Sequence, residues 1–99
     1  MSAQDVWVAK DDGTDIVRAS AIVGVGLDYN GNVMARLTGG DATLVTLVGH
    51  SGHIDERTPS DFHRQLIRVL AQLSDSAAPY LVRPVRDDSR GWQWVSEPL

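Results

Sequence analysis

Between Ala21 and Val48 the chain carries three apolar, β-branched-rich runs, cut apart by two glycine signals. The first, AIVGVGLDY, meets Asn30-Gly31; the second, Asn32–Thr38, meets Gly39-Gly40; the third is Asp41–Val48. β-Branched side chains are stiff in helices and pack well on a pleated surface. Asn-Gly is the strongest short hairpin signal, because both residues accept the positive φ of a type I′ turn. The stretch predicts a three-stranded antiparallel meander. A two-residue turn at Asn30-Gly31 sets Leu27 opposite Met34, Gly26 opposite Ala35 and Gly24 opposite Leu37. In that register Ile22, Gly24 and Gly26 share a face with Val33, Ala35 and Leu37. Val23, Val25 and Leu27 share the other with Met34, Arg36 and Thr38. Neither face is cleanly polar, whereas an antiparallel sheet with one wet side alternates sharply. The expectation is a sheet that is covered on both faces or curls, with Gly24 and Gly26 at the bend.

The rest of the chain adds elements to this meander. Val6–Lys10 and Thr14–Arg18 read as short strands around the turn Asp11-Asp12-Gly13. Thr58 is expected to cap a helix, with Pro59 at its first position and Asp61 at the third. Phe62, Leu66, Val69, Leu70 and Leu73 recur at helical spacing, with Arg64, Gln65, Arg68 and Gln72 opposite. This amphipathic helix is expected over about 59–76, stopping before Pro79. Tyr80–Val85 and Trp92–Val95 read as a last hairpin, with Pro84 on an edge or with its nitrogen on an unpaired side. The expected fold is α+β: about seven short strands in an antiparallel, curled β-meander sheet, with the helix packed on one face. Along the chain this is five strands, the helix, then two strands. Ninety-nine residues make a single domain, 1–99.

Composition narrows the function classes. The net charge of −4 argues against a nucleic-acid or anionic-membrane surface. There is no cysteine, hence no disulfide and no cysteine-zinc site. No apolar run reaches the ~18 residues of a membrane span, and MSAQDVWVAKDDG does not read as a signal peptide. The expected location is cytoplasmic.

Leu47–Glu56, LVGHSGHIDE, concentrates reactive side chains. Gly49-His50-Ser51 resembles the nucleophile elbow of the α/β-hydrolase family, which would imply Ser51 as nucleophile. The pattern departs from that family where Gly52 comes one residue early and His53 takes the second glycine's place. The helix also starts several residues late for an elbow. His50, His53 and His63, with Asp55 nearby, are the candidate metal ligands, since imidazole and carboxylate suit zinc and similar divalent ions. Such a site would support a metal-dependent hydrolase only if His63 turns back towards the loop. The other reading is two solvated loop histidines and a third on the core rim, with no cofactor.

Trp7, Trp92 and Trp94 are the remaining conspicuous side chains, with Arg83 and Arg86 nearby. Trp92 and Trp94, two apart, share one strand face. Asp87, Asp88 and Glu97 cancel the local arginines, so the group is a candidate ligand or protein interface and not a nucleic-acid surface. One helix covers only one sheet face, and soluble monomers avoid large apolar patches. The expected function is a non-enzymatic interaction or oligomerisation domain, a homodimer or higher oligomer joined through an apolar sheet face. The alternatives are a β-rich pocket for a small ligand and the metal-dependent hydrolase.

Overall fold

A computed structural model describes residues 6–38, 43–49, 58–74 and 79–99. Among them are seven strands: β1 (Val6–Ala9), β2 (Ile16–Arg18), β3 (Ile22–Leu27), β4 (Val33–Leu37), β5 (Thr43–Val48), β6 (Tyr80–Asp87) and β7 (Gly91–Pro98). A 3₁₀ turn, Ala19–Ala21, leads into β3, and one helix, α1 (Phe62–Gln72), lies between β5 and β6. The class is α+β, and β3-β4-β5 is the expected antiparallel meander.

The sheet itself differs from expectation. There is no single curled antiparallel sheet. The strands form two sheets, β2-β1-β6-β7 and β3-β4-β5, and β1 runs parallel to β6. Parallel neighbours need a long crossover; here the meander and α1 together supply it. Local turn signals cannot reveal such a pairing. Pro84 sits in an inner strand, not an edge, but β1 pairs β6 only as far as Val82, so the proline lies past the end of that ladder.

The meander register is one residue off the expected one. Leu27 pairs with Val33, Gly26 with Met34, Val25 with Ala35 and Gly24 with Arg36. Asn30 has no positive φ, whereas Gly31 stands at φ +86°. The Gly31 N–H donates to the Asp28 carbonyl at 3.1 Å, and the Asp28 N–H to the Asn32 carbonyl at 3.0 Å. This is a three-residue loop, a type I turn closed by a glycine in the left-handed region. Asp28 selects it: its carboxylate accepts from the backbone of Asn30 and Asn32 and from the Asn32 side-chain amide, each at 2.9 Å. The shift also separates the two faces. Val25 and Leu27 join Val33, Ala35 and Leu37 on the core side, leaving Gly24 and Gly26 outside with Met34 and Arg36. Bulges complete the sorting. An extra residue at Leu47 lets Leu47 and Val48 both be buried, and one at Val23 leaves that side chain 63% exposed.

The core lies between the inner faces of the two sheets and the apolar stripe of α1. Val8, Val33, Leu47, Val48, Phe62, Leu66 and Val82 are fully buried there. At one end Asp11 ties the sheets together: its N–H donates to the Leu47 carbonyl at 2.8 Å, and its carboxylate accepts from the Gly49 N–H at 3.0 Å.

Thr58 does not cap α1. The helix starts at Phe62, with Asp61 in the capping position and making no capping bond. Thr58 is buried, and its hydroxyl donates to the Gly31 carbonyl at 2.7 Å, pinning the helix approach to the β3–β4 turn. The Asp61 carboxylate instead accepts from the Gln65 amide at 2.9 Å.

Three turn aspartates make stability acid-sensitive. The Thr14 hydroxyl and N–H lower the Asp12 carboxyl, the Asn32 amide and N–H lower Asp28, and the Ser89 N–H and hydroxyl lower Asp87. All three titrate below their usual 3.8. Their stabilising contribution is fully present above that value and is lost as pH falls through the lower folded values. The thermal midpoint is therefore expected to drop below about pH 4. Asp28→Asn, which cannot titrate, should make that acid limb shallower in calorimetry; an unchanged limb would remove Asp28 from the cause.

Candidate interaction surface

The tryptophans do not gather at one site. Trp92 and Trp94 share a face, as their spacing requires, but it is the inner one. Trp94 is 9% exposed and stacks on Phe62, with ring centroids 4.7 Å apart and planes 15° apart. Its indole N–H donates to the Phe62 carbonyl at 2.8 Å, fastening β7 to the first turn of α1. Trp92 meets the same ring at 6.2 Å and 57°. Arg86 pairs across the hairpin with Trp92 and lies 3.3 Å from the Asp88 carboxylate.

Trp7 faces the other way. It alternates with the buried Val6 and Val8, so it lies on the outward face of the four-stranded sheet. The Arg18 guanidinium sits 5.0 Å from its ring centroid, a cation–π contact from the neighbouring strand. Strand pairing places Leu81 beside Trp7, and Val95 opposite Arg83, on this face. Arg83 bonds Glu97 across the hairpin at 2.6 Å. Ile16, on β2 opposite Ala9, is half exposed. Trp7 and Arg83 are thus brought to one face, and Trp92 and Trp94 are taken to the opposite one.

The three-stranded sheet has two further concavities. One, of about 210 Å³, lies on its outward face over Gly24, Gly26, Met34, Arg36 and Leu44. The other, of about 220 Å³, is a groove between β3 and α1, lined by Ile22, Val23, Val25, Ile67 and Leu70. Val23, Leu44 and Ile67 are more than half exposed. Neither hollow is walled by a tryptophan. Sequence reasoning did not single out this region. The signal available was Ile67, an apolar residue on the polar side of the helical stripe, together with the two strand glycines.

His63 lies on the first turn of α1, half-buried, and its Nδ1 is buried without a hydrogen-bond partner. His50, Ser51, His53 and Asp55 fall outside the described residues, and so do the elbow and the convergence of the three histidines. Among the described residues no group of three or more histidine, aspartate or glutamate side chains is placed to hold a metal ion. Among them, too, no helix is long and apolar enough to cross a membrane. Compared with protein families, curated proteins and solved structures, the chain matches none.

Proposed function

We propose that the protein is a non-enzymatic interaction domain that self-associates through the outward face of the β2-β1-β6-β7 sheet. The observation that carries this reading is Trp7, in cation–π contact with Arg18 and beside Leu81 on a face turned away from the core. Tryptophan and arginine are the residues most often found as interface anchors, and the Arg83–Glu97 bridge supplies a polar rim. A second copy is the proposed occupant, because a two-fold axis lets one and the same patch serve both partners. β6 and β7 are eight residues long and run ~26 Å, but β1 and β2 are only four and three residues long, so the face narrows to ~10–13 Å on that side. The plane is on the order of 350 Å², well below the ~800 Å² per partner of a standard interface. A weak dimer is therefore expected, dissociating in the micromolar range.

Sedimentation over a concentration series tests this. Mass should rise from 10.8 kDa towards twice that value as concentration increases. Leu81→Arg, which sets a charge in the middle of the face, should hold the protein monomeric with an unchanged circular dichroism spectrum. A wild-type chain that stays at monomer mass into the high micromolar range overturns the reading.

A further inference from the structure

β3 is an edge strand with an open side. Among the described residues it pairs with β4 alone, and a groove of about 220 Å³ lies between it and α1. The phase of the hairpin identifies which backbone groups face that side. The Asp28 N–H bonds the Asn32 carbonyl, so Asp28 and Asn32 form a hydrogen-bonded pair. Alternation along an antiparallel ladder then turns Gly26 and Gly24 towards β4, and turns the N–H and C=O of Val25 and Leu27 outward. Edge strands are ordinarily guarded by lysine, proline, inward-pointing charge, a bulge or a covering helix. β3, IVGVGL, has no charge or proline, and its bulge at Val23 lies at the far end from Val25 and Leu27.

The surroundings are apolar on one side of this edge and cationic around it. The groove beneath is walled by Ile67 and Leu70 of α1. Above, Gly24 pairs with Arg36, and the space that a Cβ would occupy at Gly24 is open, so nothing there blocks the arginine from reaching across β3. Arg36, Arg64 and Arg68 are exposed and make no ion pair with a described residue. α1 contains no acidic residue. In a chain of net charge −4 this is a local reversal of sign.

We propose that the β3 edge binds an extended segment of a partner protein, alternating apolar and acidic residues, by adding it as a fourth strand to the meander. The main chain of the segment pairs with Val25 and Leu27, as in other cases of strand addition. Its side chains alternate between the two faces. The apolar ones enter the groove against Ile67 and Leu70, and the acidic ones lie on the Arg36 side. A second copy of this chain suits the edge less well, because two-fold pairing of β3 with β3 brings two α1 helices, each bearing Arg64 and Arg68, towards one another. The inference rests on the reading of the protein as an interaction domain, but it uses a surface separate from the Trp7 face.

The test uses the full chain, isotope-labelled, with a capped peptide alternating valine and glutamate. The expected result is saturable binding that slows amide exchange at Val25 and Leu27 and weakens as salt is raised. Arg36→Glu combined with Arg64→Glu should lower the affinity about tenfold or more, and a peptide alternating valine and lysine should bind far less tightly. Absence of binding, or equal binding of the two peptides, overturns the proposal. So does slow exchange at Val25 and Leu27 in the free protein that grows with its concentration, which would assign the edge to a second copy. A Leu81→Arg monomer that still binds the peptide separates the two ideas: the dimer reading and the strand-addition reading then stand or fall independently.

Discussion

Phe62→Ala is expected to remove a large share of the protein's stability. The ring is fully buried and stacked on Trp94, with Trp92 tilted at 57° to it 6.2 Å away. Its own carbonyl accepts the Trp94 indole N–H. Phe62 is thus the point where α1, β7 and the common core meet. Deleting a buried phenylalanine ring costs about 3–5 kcal/mol, through lost burial and the cavity left behind. Domains of this size hold only about 5–15 kcal/mol in total. Urea unfolding followed by tryptophan fluorescence would measure the change, and the same substitution should weaken the near-ultraviolet dichroism of the stacked indole. Arg64→Ala, on the exposed side of the same helix, should stay within about 0.5 kcal/mol. A Phe62→Ala loss no larger than that of the control would mean that the helix is not held through this ring.

Thr58→Val is the second large effect. Valine has nearly the same shape but no hydroxyl, so the buried Gly31 carbonyl loses its Thr58 partner. An acceptor stranded in this way costs about 1–3 kcal/mol. Thr58→Ser, which keeps the donor, should lose less. The position of the disturbance separates the tertiary role from a capping role. With Thr58 tying the helix approach to the hairpin, the amide shifts move at Asp28–Val33. Shifts confined to the first turn of α1 would restore the capping interpretation and contradict the contact.

These two residues also mark how far sequence reasoning reached. The stripe Phe62, Leu66, Val69, Leu70 and Leu73 was legible because helical periodicity is a property of neighbours, and all five pack in or against the core. Thr58-Pro59 looked like a helix start for the same local reason, yet the threonine bonds a turn 27 positions away. Asn30-Gly31 locates the turn but does not specify its type. The Asp28 carboxylate, bonded forward to Asn30 and Asn32, favours the three-residue loop over the two-residue one. One residue of difference puts Val25 and Leu27, in place of Gly24 and Gly26, on the face of Val33, Ala35 and Leu37. For the candidate interface, the spacing of Trp92 and Trp94 sets them on one side of their strand but does not say which side is the core. The histidine loop stands apart, since His50, His53 and Asp55 lie outside the described residues.

The sequence by itself determined the described strands, the amphipathic helix α1, their order along the chain and the α+β class. Those follow from propensity, periodicity and turn chemistry, which act over a few residues. Only the tertiary structure decided that β6 enters beside β1, that the strands divide into two sheets, and that Trp94 is buried while Trp7 faces out. Each of these depends on contacts between segments far apart in the chain. Such contacts are selected by which apolar faces can be buried together, and no local pattern encodes that choice.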